Sequence, residues 1–189
     1  MKATIAYLAD TNTENYGKGL MLAAHRIGGM GFEAARLPMH VSLKQPFSIP
    51  DLNKIESFFD DYAKKLSPIS LRFDALDLYE SKVFGYESGC LVMKIKPNDT
   101  LKNQQKELFK ALEEGFGHCP AEHDEDYCFH MTVAIGGSPF GAYKMAYEKI
   151  KVLEYAGEAL FDKLGLFYYD DDKIKPGSYF CYKSVKLSL

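Results

Sequence analysis

Apolar and polar positions alternate weakly over TIAYLA (4–9), which is β-branched at two positions and reads as a strand. The period then lengthens. In ENYGKGLMLAAHRIGGM (14–30), Leu20, Met21, Ala24 and Ile27 fall on one helical face, and Gly28-Gly29 is the stop. The segment around His40 reads as a strand. SIPDLNKIESFFDDYAKKL (48–66) is predicted to be a helix, with Asp51 as N-cap and Leu52, Ile55, Phe58, Phe59 and Tyr62 on one face. ISLRFDALDLYE (69–80) alternates through Leu71, Phe73, Leu76 and Leu78, with one slip that predicts a bulge. CLVMKIK (90–96) is a strand, and DTLKNQQKELFKALEEGFG (99–117) is a helix starting at Asp99 and stopping near Gly115 or Gly117. Residues 127–135 form a strand, and SPFGAYKMAYEKIKVLEYA (138–156) is a helix with Ser138 as cap and Pro139 at its first position. ALFDKLGLFYY (159–169) and GSYFCYKSVKLSL (177–189) are the last strands. No low-complexity linker divides the chain.

This order repeats. His40 and His130 are each followed by a helix, a strand containing Phe-Asp (Phe73-Asp74, Phe161-Asp162), a turn and another strand. His40 to Phe73 is 33 residues and His130 to Phe161 is 31. RFDALDLY and LFDKLGLF match at Phe, Asp and two Leu positions. A period near ninety residues is too long for a solenoid and suits two related lobes, each a sheet with helices on one face. The expected unit is one bilobal domain over 1–189, with its repeat around 37–96 and 127–187.

Composition narrows the function. With 189 residues, 47% apolar and 26% charged, the chain reads as an ordinary globular domain. No apolar run reaches the length of a membrane span, and the N-terminus carries no secretory pattern, so a cytoplasmic location and reduced cysteines are expected. The net charge of −3 argues against broad binding to long nucleic acid, though not against a local phosphate pocket. A monomer is expected, since two fused lobes already do what a symmetric dimer would.

The chemistry lies in two tetrads, HVSL (40–43) and HMTV (130–133). Residues i and i+2 of a strand share a face, so His40 points with Ser42 and His130 with Thr132, while Val41, Leu43, Met131 and Val133 are buried opposite. If the lobes face each other, the four polar groups converge in one groove. That set suits phosphodiester chemistry: one neutral imidazole takes a proton from the attacking oxygen, and a protonated one delivers a proton to the leaving oxygen. The hydroxyls donate to non-bridging oxygens where charge grows. No metal or other cofactor is required. Chance gives two such tetrads among five histidines about 1% of the time at average residue usage. Lys44, at i+4 from His40, is placed by alternation on the same face, within reach of phosphate. Phe47 is expected in the core, Tyr7, Tyr179 and Tyr182 are candidates for lining the groove, and EHDED (122–126) reads as a solvated loop.

The two tetrads, their spacing, the duplicated order and the length resemble the 2H phosphoesterase superfamily, the LigT-like or 2′-5′ RNA ligase-like proteins. The resemblance implies an α+β, bilobal, duplicated sheet-and-helix fold with pseudo-twofold symmetry and a central cleft. It also implies metal-independent action on 2′,3′-cyclic phosphates, 2′-5′ linkages or related nucleotide or RNA-end esters. By position, His40 and His130 are the acid–base pair and Ser42 and Thr132 the phosphate donors; which histidine is base stays open. Two other readings remain. One is a module of the same fold that binds a nucleotide or RNA end without useful turnover. The other is a metal-stabilised domain built on HCPAEHDEDYCFH (118–130), whose ligand types suit zinc but whose spacing fits no paired arrangement.

Overall fold

The alternating stretches become eight strands and the 3.6-period stretches four helices in a computed structural model that describes residues 1–30, 33–83, 85–121, 123–153, 157–169 and 178–188. The strands are β1 (Lys2–Ala9), β2 (His40–Ser48), β3 (Ile69–Leu71), β4 (Phe73–Val83), β5 (Tyr86–Ile95), β6 (His130–Ile135), β7 (Ala159–Tyr169) and β8 (Phe180–Lys186). The helices are α1 (Thr11–Gly28), α2 (Leu52–Ala63), α3 (Asp99–Phe116) and α4 (Phe140–Ile150). Among the described residues, no helix is long and apolar enough to cross a membrane.

Helix ends follow local chemistry. Asp10 caps α1 by accepting the Thr13 N–H at 2.9 Å, and Gly29, at φ 66°, closes it by donating to the His25 carbonyl at 2.7 Å. Asp51 caps α2 as expected, accepting from Asn53 N at 2.7 Å. Helix α3 starts at Asp99 as expected, capped by Asn98, which accepts from Leu101 N at 2.9 Å. In α4 the expected cap moves by one residue. Pro139 takes the cap position, extended at ψ 151°, because its fixed φ suits that conformation as well as a first helical turn. The Ser138 hydroxyl instead donates to the Gly29 carbonyl at 3.3 Å, tying α4 to the end of α1. This helix ends at Ile150, before the expected 156; residues 154–156 lie outside the described residues, as do Glu122 of the acidic run and the two ends of the expected 177–189 strand.

All strands pair antiparallel, in the order β3-β7-β1-β2-β6-β5-β4, with β8 beside β3 on the outer edge of β7. The tetrad strands β2 and β6 lie next to each other in the middle. The two sequence repeats do not fold as separate halves. Strands β4 and β5, which follow His40 in the chain, flank β6, whereas β7, which follows His130, flanks β1 and through it β2. The slip in period over 69–80 marks a change of partner: β3 pairs with β7, and after the single residue Arg72, β4 pairs with β5. The sheet therefore curls until its two edges meet there. A bulge between Phe73 and Leu76 adds to the slip.

One face of the sheet is packed against the helices. Ile5, Tyr7, Val41, Leu43, Met131, Val133, Leu164 and Leu166 point that way into the main core. Gly89 of β5 is required by this packing, since a Cβ there would overlap the ring and Cβ of fully buried Tyr143 from α4. Tyr143 cannot withdraw, because its hydroxyl donates to the Gly136 carbonyl at 2.7 Å. Gly89→Ala is expected to lower stability by about 1–3 kcal/mol, the usual cost of overpacking. Urea denaturation measures it, and an unchanged midpoint would contradict the packing.

Candidate functional site

The opposite face of the sheet carries the tetrads. Val41 and Met131 are cross-strand partners. Antiparallel register then sets His40 opposite Thr132 and Ser42 opposite His130, all on the face away from the core. Imidazole and hydroxyl alternate around a small quadrilateral, with the two histidines on its diagonal, about 7–8 Å apart at Cα. The four convergent groups expected from sequence are brought together by direct pairing of β2 with β6 rather than by two lobes meeting across a gap.

Both imidazoles are held in the same way. His40 Nδ1 lies 2.8 Å from the Pro38 carbonyl and His130 Nδ1 lies 2.7 Å from the Cys128 carbonyl. A carbonyl only accepts, so each Nδ1 carries the proton and each neutral ring keeps its lone pair on Nε2. Burial is the main cause pushing both imidazoles below their ordinary pKa. For His40 the Pro38 carbonyl works against this, His130 adds to it and Glu14 opposes it; for His130 the Cys128 carbonyl opposes it.

The surroundings differ between the two histidines. His40 packs on Phe167, with ring centroids 4.6 Å apart, and Phe167 stacks on Tyr179 at 5.4 Å. Ala6, Leu8 and Phe167 form a small apolar floor on this side. Near His130 stand Tyr127 at 6.2 Å and Tyr79 at 6.4 Å. Lys94 is the register partner of His130 and pairs with Asp77 at 3.0 Å. The Tyr127 hydroxyl accepts from Gln45 Nε2 at 3.3 Å and has Ser42 as a polar neighbour. Burial holds the Tyr127 phenol well above the usual tyrosine range. Beside Thr132 lies the Cys90 thiol, which burial pushes up to about 11.

Lys44 departs from expectation. It is not on the His40 face: Ala6 pairs with Ser42 but Ile5 pairs with Lys44, so β2 carries an extra residue at Leu43. This bulge inverts the alternation, and both Leu43 and Lys44 turn to the helix side. Lys44 is 3% exposed, its ammonium lies 4.1 Å from the centre of the Phe109 ring on α3, and it pairs with Asp124 at 2.5 Å. Gln45 takes the expected place of Lys44 on the Tyr127 side of β2. Of the three candidate tyrosines, Tyr179 stands by the site, while Tyr7 is fully buried in the core and Tyr182 packs against it. Phe47 is core, as expected.

Sequence reasoning missed Tyr127, Gln45 and Lys94. The signals were present: Tyr127 is three residues before His130, and Lys94 is the first charge inside CLVMKIK. All four cysteines are free thiols, and among the described residues no group of three or more His, Cys, Asp or Glu side chains is placed to hold a metal ion.

A sequence model of the 2′-5′ RNA ligase superfamily matches residues 29–173, well over half of the chain. Over 104 residues the chain is 33% identical to a candidate phosphoesterase of Bacillus pumilus, covering 53% of each, so it spans about half the length of that relative. Over 153 residues it is 24% identical to a candidate phosphoesterase of Geobacillus, covering 79% of each. Its fold is similar to that of TT0787 of Thermus thermophilus, with TM-score 0.67 and 14% identity over 99% of this chain and 98% of that one. It is similar also to that of E. coli LigT in complex with 3′-AMP, with TM-score 0.59 and 13% identity over 100% and 98%. Together with the paired tetrads, the match to the family model places the chain in the 2′-5′ RNA ligase superfamily, with the α+β fold of the LigT-like proteins.

Proposed function

We propose that this protein is a phosphoesterase that opens a 2′,3′-cyclic phosphate, or cleaves a related 2′-5′ linked nucleotide or RNA-end ester, without a metal. The observation that carries the reading is the matched state of the two imidazoles: each Nδ1 is committed to a backbone carbonyl, leaving Nε2 to exchange protons with a substrate. One neutral Nε2 takes the proton of water as its oxygen attacks phosphorus. The other imidazole, protonated, gives its Nε2 proton to the ribose oxygen as the P–O bond breaks. Ser42 and Thr132, alternating with the histidines, donate to the non-bridging oxygens. With the 5′-hydroxyl of a second nucleotide in place of water, the same steps open the cyclic phosphate into a 2′-5′ link: one Nε2 takes the 5′-hydroxyl proton as its oxygen attacks phosphorus, and the other gives its proton to the departing 3′-oxygen. Two related folds are seen with nucleoside monophosphates, E. coli LigT with 3′-AMP and Kluyveromyces marxianus Usb1 with uridine monophosphate, which supports a nucleotide-sized substrate.

The test is turnover of a panel of 2′,3′-cyclic nucleotides with and without EDTA. EDTA-resistant hydrolysis is expected, and absence of turnover across the panel would overturn the reading. The pH profile carries a second expectation. The mechanism needs one neutral and one protonated imidazole, and both have pKa values below the ordinary 6.5. As pH rises past 6.5 the protonated partner is lost, and at low pH the neutral one is lost. The optimum of kcat/KM, which reports the free protein, therefore falls below about pH 6.5. The alkaline limb of kcat lies higher, because a bound phosphate anion favours the imidazolium. A flat profile between pH 5 and 8 would sink the two-histidine scheme.

A further inference from the structure

On the open face of the sheet, one row of side chains runs across four strands. His40 of β2 is opposite Leu8 of β1, Leu8 is opposite Lys163 of β7, and Lys163 is opposite Lys186 of β8. Directly opposed residues of antiparallel strands share a face, so both lysines stand on the side of His40. The next row supports this: Ser42, Ala6, Gly165 and Ser184 are partners in turn. Two like charges directly opposed across a ladder are destabilising unless something negative lies between them. The carboxylate nearest Lys163 is its chain neighbour Asp162, at 3.8 Å, and Lys186 forms no ion pair among the described residues. On the His130 side, by contrast, the corresponding lysine, Lys94, is already matched by Asp77 at 3.0 Å.

The lysine row borders a cavity of about 370 Å³ lined by Leu8, Pro38, Asp10, Thr11, Lys163 and Ser184, among others. It adjoins His40, since Leu8 is the histidine's register partner and Pro38 supplies the carbonyl that holds its Nδ1. The acidic groups at its rim are already engaged. Asp10 caps α1, and Glu14 accepts from Met39 N at 2.8 Å and pairs with Lys18 at 2.7 Å. Leu8 lies tightly over Gly165, where a Cβ would meet its side chain at 2.7 Å, so the floor between His40 and the lysines is apolar.

We propose that Lys163 and Lys186, with Ser184, form a second phosphate subsite that holds the phosphodiester next to the reacting one. Lys163 stands two strand spacings from His40, about 10 Å, which is the scale of one nucleotide step. The preferred ligand is then an RNA end of two or more nucleotides, with the intervening nucleoside over Leu8 and the cavity. This inference rests on the phosphoesterase reading for the reacting phosphate, but its test does not depend on turnover.

Calorimetry compares adenosine 3′-monophosphate with the adenosine dinucleotide bearing a 3′-phosphate, on the wild type and on Lys163→Gln/Lys186→Gln. Both lysines are solvent-accessible, so the variant is expected to fold. The dinucleotide should bind the wild type about ten-fold more tightly, as a charge-assisted phosphate contact would give. The variant should lose that preference while binding the mononucleotide unchanged. Equal binding of the two ligands by the wild type, or a preference that survives the double substitution, overturns the subsite. A lysine-dependent preference without hydrolysis of any cyclic ester would leave the subsite standing and remove the proposed activity. Hydrolysis of cyclic mono- and dinucleotides at equal kcat/KM by both proteins would do the reverse.

Discussion

Replacing either His40 or His130 by Ala lowers the turnover of a 2′,3′-cyclic nucleotide by about a thousand-fold, within the range for loss of a positioned acid or base. The two substitutions together cost little more than either alone. In the proposed scheme the base and the acid act in one transition state, so once one is missing the other has no partner step to assist. The fold should tolerate both changes, because each ring lies on the open face and its Nδ1 bond is to a carbonyl that water can satisfy in its place. Steady-state kinetics of the three variants decides the matter, with circular dichroism as the control. Turnover that persists in one single variant would reduce that histidine to a positioning role. Multiplying losses in the double variant would mean that the residues act independently. Ser42→Ala and Thr132→Ala should each cost less, since a lost neutral donor leaves the proton transfers intact.

The tetrads were legible because their logic is local. Period-two alternation fixes which side chains share a face, and His-x-Ser and His-x-Thr state that face directly in the sequence. Helix ends were legible for the same reason where the cap was an Asp or a Gly, as at Asp51 and Gly29. The topology was not, because nothing in 69–80 says that β3 and β4 separate at Arg72 to serve opposite edges of the sheet. A change of partner and a bulge leave the same mark on the hydrophobic pattern. Lys44 failed on the same point: counting by twos from His40 is valid only as far as Leu43, where the extra residue reverses the parity. Lys163 and Lys186 were out of reach altogether, since only the pairing of β7 with β8 brings residues 163 and 186 together.

The largest stability effect is expected at the ion pair that this parity reversal creates. Asp124→Ala should destabilise the protein by about 3 kcal/mol, the low end for breaking a buried pair. The low end applies because the Lys44 side chain is 3% exposed but that of Asp124 is 23% exposed and keeps some water. In the variant, the Lys44 ammonium stays under Phe109 without its counter-charge, and the Ala121 N–H loses the Asp124 acceptor it meets at 2.9 Å. Lys44→Met should cost less than this, since the thioether chain fills the same space against Phe109 and the stranded carboxylate can turn to solvent. The double variant Lys44→Met/Asp124→Ala should then be more stable than Asp124→Ala alone, a sign that urea denaturation of the full cycle reads directly. Additive losses would mean that the two groups do not feel each other. The same variants separate structure from catalysis. The pair anchors the segment leading to Tyr127, which stands beside Ser42, and to Cys128, whose carbonyl holds His130. Asp124→Ala should therefore lower kcat by loosening that segment, while Lys44→Met leaves KM for a cyclic nucleotide unchanged. A rise in KM of about ten-fold in Lys44→Met would return the lysine to the substrate phosphate and refute its place beneath the sheet.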